Sequence, residues 1–173
     1  IMDKNSTFSS ERLYFLGINE TDTNCLVTWR SDPQVICYFR RPIPITKKDH
    51  EQWYRTVYLQ DYERLDFIVI EKQSQEAIGT VGANHIDLKE RSCEISYMIA
   101  RVAFQRKGYA VEAITSMMNA MRKEGICHFF AEIHSQNFVS QRTIEKLGYT
   151  YCKEQQPFFI YHKWEGLDVP YTC

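Results

Sequence analysis

The stretch that decides the fold runs from Cys93 to Met121, CEISYMIARVAFQRKGYAVEAITSMMNAM. Its first seven residues alternate in period two, with Cys93, Ile95, Tyr97 and Ile99 on one face and Glu94, Ser96 and Met98 on the other. That alternation predicts a strand. Further on, Ala110, Ala113, Ile114, Met117, Met118 and Met121 recur at helical spacing, which predicts an amphipathic helix closed by Gly125. The methionines read as core packing rather than as a binding surface. Between strand and helix lies Phe104-Gln105-Arg106-Lys107-Gly108-Tyr109-Ala110. A loop entering a helix offers unpaired N–H groups and the positive end of the helix dipole. Gly108 and Ala110 keep side-chain bulk low, and Arg106 and Lys107 add charge, so the segment suits a phosphate or pyrophosphate. It is neither G-x-x-x-x-G-K-[ST] nor G-x-G-x-x-G. Taken alone, it reads sooner as an ordinary basic helix start with glycine in a turn.

Working outward, Leu65–Ile70 and Ala77–Ile86 are β-rich runs separated by polar turns. With the strand from Cys93 they predict an antiparallel meander. Downstream come a strand at Cys127–Ile133, a helix at Phe138–Leu147 before Gly148, and strand segments at Tyr149–Cys152 and Phe158–Trp164. Strand, helix and strand over residues 93–133 imply one right-handed parallel pair in a mostly antiparallel sheet. Upstream, Arg12–Ile18 reads as a first strand. Thr21-Asp22 opens a short helix carrying Leu26, Val27 and Trp29, and Asp32-Pro33 ends it. Arg41-Pro42-Ile43-Pro44 forms an extended connector, and Thr46 with Asp49 starts a helix running through Trp53, Val57 and Leu59. Trp29, Trp53 and Tyr54 read as core more than as pocket lining.

The chain has 173 residues, 21 Lys plus Arg and 22 Asp plus Glu, for a net charge of −1. One domain spanning residues 1–173 is expected, with residues 1–10 flexible and Ile1 a vector remnant. A near-neutral balance disfavours a nucleic-acid partner. No apolar run reaches the roughly 18 residues of a membrane span, and the opening residues carry no secretory leader. The six cysteines form no C-x-x-C pair and read as free thiols of a reducing, cytoplasmic setting. The five histidines lack ligand spacing, so no metal is expected. His85 reads as a core or surface residue, or as lining for an acceptor pocket. Cys127 and His128 are strand neighbours on opposite faces, which disfavours a nucleophile pair.

The pattern Gln105-x-x-Gly108-x-Ala110 after a period-two strand resembles the acetyl-CoA signature of the GNAT acetyltransferase superfamily. Asn137-Phe138-Val139-Ser140, followed by Glu145-Lys146-Leu147-Gly148-Tyr149, is similar to the corresponding tract of its RimJ/RimL-like branch, as are Arg12-Leu13 and Trp29-Arg30-Ser31-Asp32-Pro33. The likeness runs from about residue 11 to the end. It implies an α/β (α+β) GNAT fold: a mixed, mostly antiparallel sheet with one splayed parallel pair and helices on both faces. It also implies acetyl-CoA as donor cosubstrate, with Met98, Ile99 and Ala100 pairing with pantetheine. The amides of Gln105, Arg106, Lys107, Gly108, Tyr109 and Ala110 would hold the pyrophosphate, and Asn137 would contact the pantetheine arm.

The implied reaction is attack of a primary amine on a thioester, which needs positioning, a base and oxyanion contacts. Glu94 is the candidate base, or else a solvated or salt-bridged strand residue, and a backbone N–H near Met98 or Ile99 would meet the oxyanion. Many family members carry a leaving-group tyrosine seven residues after the asparagine, where this chain has Ile144. Ser140 is the substitute candidate, or else a helix cap or a CoA-contacting hydroxyl. The loop before Gln105 is one residue longer than usual and lacks the frequent proline. Val169-Pro170-Tyr171-Thr172 resembles the tract after which a last family strand usually continues. Acceptors consistent with the likeness are a protein N-terminus or a small amine such as a polyamine, amino sugar or antibiotic. A homodimer is compatible with either. The rival readings are an acyl-CoA-binding module without turnover and a nucleotide-binding protein.

Overall fold

The computed structural model describes residues 2–165. Among these, eight strands form one sheet: β1 Thr7–Ser9, β2 Leu13–Gly17, β3 Leu65–Glu71, β4 Glu76–Asp87, β5 Ser92–Ile99, β6 His128–His134, β7 Thr150–Gln155 and β8 Phe158–Trp164. Their order across the sheet is β1-β2-β3-β4-β5-β6-β8-β7. Neighbours are antiparallel except β5 and β6, which run parallel. The expected meander is β3-β4-β5. The crossover is α4, Tyr109–Lys123, whose buried stripe of Ala113, Ile114, Met117, Met118 and Met121 meets Phe15, Phe67, Val81, Cys93, Ile95 and Phe129 of the sheet. Each such large apolar side chain contributes about 1.5–3 kcal/mol on burial. Gly125, at φ 97°, takes the left-handed turn that ends α4.

The other face carries α1 Thr23–Arg30, α2 Pro33–Ile36 and α3 Lys47–Thr56. Leu26, Trp29, Tyr54 and Tyr58 pack there on Ile68 and Ala100, with Trp53 alongside. Helices therefore cover both faces, the mixed-sheet GNAT architecture that the motifs imply. Pro33 has two roles: it follows α1 and opens α2, where Asp32 accepts the Gln34 N–H. Thr46 and Asp49 form a reciprocal capping box on α3.

Several expectations are corrected. The first ten residues hold a strand, because β1 pairs with β2 and Phe8 stacks on Phe15 at 4.5 Å. The helix carrying Trp53 stops at Thr56, so Val57 and Leu59 are 51% and 41% exposed. A 3-10 turn at Tyr58–Gln60 sends Tyr58 into the core instead. Cys25, Cys37, Cys93 and Cys127 are free thiols, whereas Cys152 is disulfide-bonded. The tract 169–172 lies outside the described residues. Among the described residues, no helix is long and apolar enough to cross a membrane.

Candidate active site

The β5–β6 ladder has three rungs, Ser92 with His128, Cys93 with Phe129 and Glu94 with Phe130. Beyond Glu94 the strands part, while β5 stays paired with β4 as far as Ile99. Main-chain groups alternate sides along a strand, and two observations fix which of them face the gap. The Ala100 N–H donates to the Ile78 carbonyl on β4 at 2.9 Å, and the Met98 carbonyl also faces β4, since a Cβ on Gly79 would sit 2.0 Å from it. Tyr97 and Ile99 therefore turn their main-chain groups to the gap. This corrects the expected trio, because of Met98, Ile99 and Ala100 only Ile99 offers its backbone there. Its carbonyl already accepts the Gln105 Nε2–H at 2.9 Å.

At the mouth of the gap, the loop from Gln105 to Gly108 is exposed and Tyr109 is buried. Gly108 precedes α4 at φ 81°, a conformation open to glycine, and Arg106 also has positive φ, 59°. The N–H groups of Arg106, Lys107 and Gly108 find no partner among the described residues. Together with the first turn of α4 beginning at Tyr109 and Ala110, they make a concave row of donors suited to an anion.

Glu94 stands at the last rung before the strands part, on the face covered by α1–α3, and is 8% exposed. Burial pushes its carboxyl above the ordinary range, and Arg40 and His85 pull part of the way back. His85 Nε2 lies 3.5 Å from one carboxylate oxygen and Arg40 Nη2 3.6 Å from the other. Arg40 also pairs with Glu132 on β6. Asn84, opposite Glu94 on β4, donates to the Ser96 hydroxyl at 2.9 Å. Its buried amide oxygen has no partner among the described residues. Glu94 thus lies in a partly buried polar cluster, where its carboxyl holds a proton more tightly than in water.

On the opposite side of the sheet, the Tyr97 hydroxyl donates to Ser140 Oγ at 2.9 Å. Ser140 lies in the first turn of α5, Phe138–Lys146. Asn137 caps that helix, accepting the Ser140 N–H on Oδ1 at 3.2 Å. Asn137 is therefore the cap that Ser140 was considered for, and the Ser140 hydroxyl is left to Tyr97. Ile144 is fully buried in the core. Among the described residues, no three His, Cys, Asp or Glu side chains are grouped to hold a metal ion.

Arg40 and the Tyr97–Ser140 contact escaped the sequence reading, and His85 entered it only as a core or surface residue or as pocket lining. Arg40 comes from the proline-flanked connector, 54 positions before Glu94, and no local pattern links them. Strict alternation would turn His85 toward the core, but β4 breaks register between Asn84 and Asp87. His85 takes φ 50° there, and Ile86 packs against the core in its place. Tyr97 was assigned its face correctly, yet its bond to Ser140 spans two elements far apart in sequence.

A sheet parted at one parallel pair, with free amides at the mouth and a buried carboxyl on the flank, is an arrangement suited to an extended, anion-headed ligand beside a carboxyl group. Residues 12–150 match the family model described as the acetyltransferase (GNAT) domain, so the chain belongs to that family. It is 27% identical to the uncharacterized N-acetyltransferase p20 of Bacillus licheniformis over 148 residues, 83% of this chain and 82% of that one. A shorter match, 31% over 84 residues, reaches the uncharacterized N-acetyltransferase YjdG of Bacillus subtilis, covering 48% of this chain and about half (49%) of that relative's length. Among solved structures, spermidine N-acetyltransferase from Vibrio cholerae, in complex with CoA and spermine, superposes with a TM-score of 0.77 at 16% identity, covering 88% of this chain and 94% of that one. RimL, a ribosomal L7/L12 alpha-N-protein acetyltransferase in complex with CoA, gives 0.77 at 15% identity, covering 92% and 98%.

Proposed function

We propose that the chain is one catalytic domain that transfers acetyl from acetyl-CoA to a primary amine in a ternary complex. One observation carries this reading: a buried, proton-hungry Glu94 at the point where β5 and β6 separate. The amides of residues 105–110 hold the pyrophosphate, and the pantetheine arm follows the gap along Ile99. The acceptor amine enters from the α1–α3 face, loses a proton to Glu94 and attacks the acetyl carbonyl. The carbonyl π electrons move to oxygen, and the Ile99 N–H supports that oxyanion. Collapse breaks the carbon–sulfur bond, the departing thiolate takes a proton from the Tyr97–Ser140 hydroxyl pair, and the second proton shed by the attacking nitrogen passes through solvent to restore that pair. The carboxylates of Glu94 and Glu132 favour a cationic acceptor, such as a polyamine or a protein N-terminus.

Acetyl-CoA incubated with a panel of amines, with free thiol followed by colour, tests the reading. Acceptor-dependent release is expected, and Glu94→Gln retains CoA affinity while losing about 100-fold or more in turnover. The buried Ile144, where many relatives carry tyrosine, favours a second reading as an acyl-CoA-binding module. Saturable CoA binding without thiol release on any amine would establish that alternative.

A further inference from the structure

The loop that offers its amides to an anion is held from behind by a residue of the first long strand. Arg12, just before β2, lies far from α4 in sequence, yet its Nη1 donates to the Lys107 carbonyl at 2.9 Å. The guanidinium sits 4.1 Å from the Tyr109 ring centroid, and a Cβ on Gly108 would meet Arg12 Nη2 at 3.3 Å. Arg12 is itself tied down. Its Nε donates to Glu112 Oε2 at 2.7 Å, and its backbone N–H donates to Glu112 Oε1 at 2.7 Å. The Ser10 hydroxyl adds a third bond to this carboxylate, donating to Oε1 at 2.7 Å. Glu112 belongs to the first turn of α4, so β2, the loop and the helix start are locked as one unit.

A peptide plane links these contacts to ligand binding. In a trans peptide, the carbonyl of one residue and the N–H of the next point in opposite directions. Fixing the Lys107 carbonyl toward Arg12 therefore aims the Gly108 N–H away from Arg12, into the row of free donors. Without that anchor, the left-handed glycine lets the plane turn over at little cost and present a carbonyl to the anion. A single reversed peptide would replace attraction with repulsion at the pyrophosphate.

We propose that Arg12 is a positioning residue for the donor cosubstrate: by holding the Lys107 carbonyl, it keeps the Gly108 N–H pointed at the pyrophosphate. The inference rests on the acetyl-CoA reading of the site. It separates from that reading because it concerns only the diphosphate-bearing part of the ligand. Arg12 touches no reacting atom, and its effect belongs in affinity for CoA, not in the acetyl-transfer step.

Calorimetry with CoA and with acetyl-pantetheine, which lacks the pyrophosphate, tests it on wild type, Arg12→Gln and Arg12→Lys. The lysine variant keeps the charge pair with Glu112 but cannot bridge to Lys107 through a second nitrogen. It therefore guards against a mere folding defect in the glutamine variant. The expected result is a loss of about tenfold in CoA affinity for both variants, the scale of one charge-assisted bond, with acetyl-pantetheine affinity unchanged. Equal CoA binding by wild type and Arg12→Lys would overturn the positioning role while leaving the acetyl-CoA reading intact. An equal loss for both ligands would also overturn it, as a general structural effect. Wild type that binds no CoA would sink the acetyl-CoA reading itself.

Discussion

As the proposed base, Glu94 carries a stability cost. Burial raises its carboxyl above the ordinary 4.5, so the folded protein prefers the protonated form more than the unfolded chain does. For an acid raised on folding, the stabilising share is present below the unfolded value and is lost as pH climbs through the folded one. At neutral pH, ionised Glu94 therefore works against folding, offset in part by Arg40 and His85. Glu94→Gln is expected to raise the melting temperature at pH 7.5 while abolishing most turnover. The stability gap between variant and wild type should open above about pH 4.5 and stop widening beyond the folded value. Thermal melts of both proteins across that range check the sign. A variant that melts lower than wild type at pH 7.5 means the carboxylate is a net structural ion pair, and the base assignment loses its physical footing.

At the scale of elements, most of the fold was legible because each signal was local. The period-two run of β5, the methionine stripe of α4 and the capping box of α3 all lie within about a dozen residues. The misses share a cause as well. β1 is three residues long with little alternation to read, and its pairing with β2 decides it. Placement of Glu94 and Ser140 was legible from alternation and motif spacing, but their partners came from other elements. Asn137 shows how one residue can serve an element and the site together. Its Oδ1 holds the N-terminus of α5, while its amide nitrogen remains available to a ligand. Asn137→Asp should keep the cap, since an aspartate there also complements the helix dipole, and leave stability within a few tenths of a kcal/mol. The same change removes the N–H donor and should weaken pantetheine-bearing ligands severalfold. Asn137→Ala should lose both, with about 1 kcal/mol of stability lost in a denaturant titration. Undiminished CoA affinity in both variants would confine Asn137 to capping.

Across the whole molecule, histidines tie stability to pH. His50 lies on the buried face of α3, and burial, with Arg30 nearby, lowers its pKa. On the β6–β8 pair, His128 and His162 approach nitrogen to nitrogen at 2.5 Å, and His128 stacks on Trp164 with ring centroids 3.9 Å apart. Burial, with His162 beside it, takes His128 down to about 4, and burial followed by Lys153 lowers His162. An imidazole lowered on folding stays neutral in the native state after its unfolded counterpart has taken a proton. Between the ordinary value of 6.5 and about 4, the unfolded chain therefore binds more protons, and stability falls as pH falls. Glu94 acts in the opposite direction above its ordinary 4.5, but as one carboxyl against three imidazoles. The wild-type melting temperature is thus expected to decline steadily from pH 7 to pH 5. His128→Gln should flatten that decline, because glutamine keeps a polar side chain on β6 but cannot be protonated there. As the proposed base takes up its proton in acid, the rate falls as well. In His128→Gln the melting temperature falls less steeply with acid than in wild type, because His50 and His162 remain, while the acid loss of rate is unchanged. A melting temperature that is flat from pH 7 to pH 5 in wild type would show that the paired imidazoles are solvated, and would remove this coupling of the two properties.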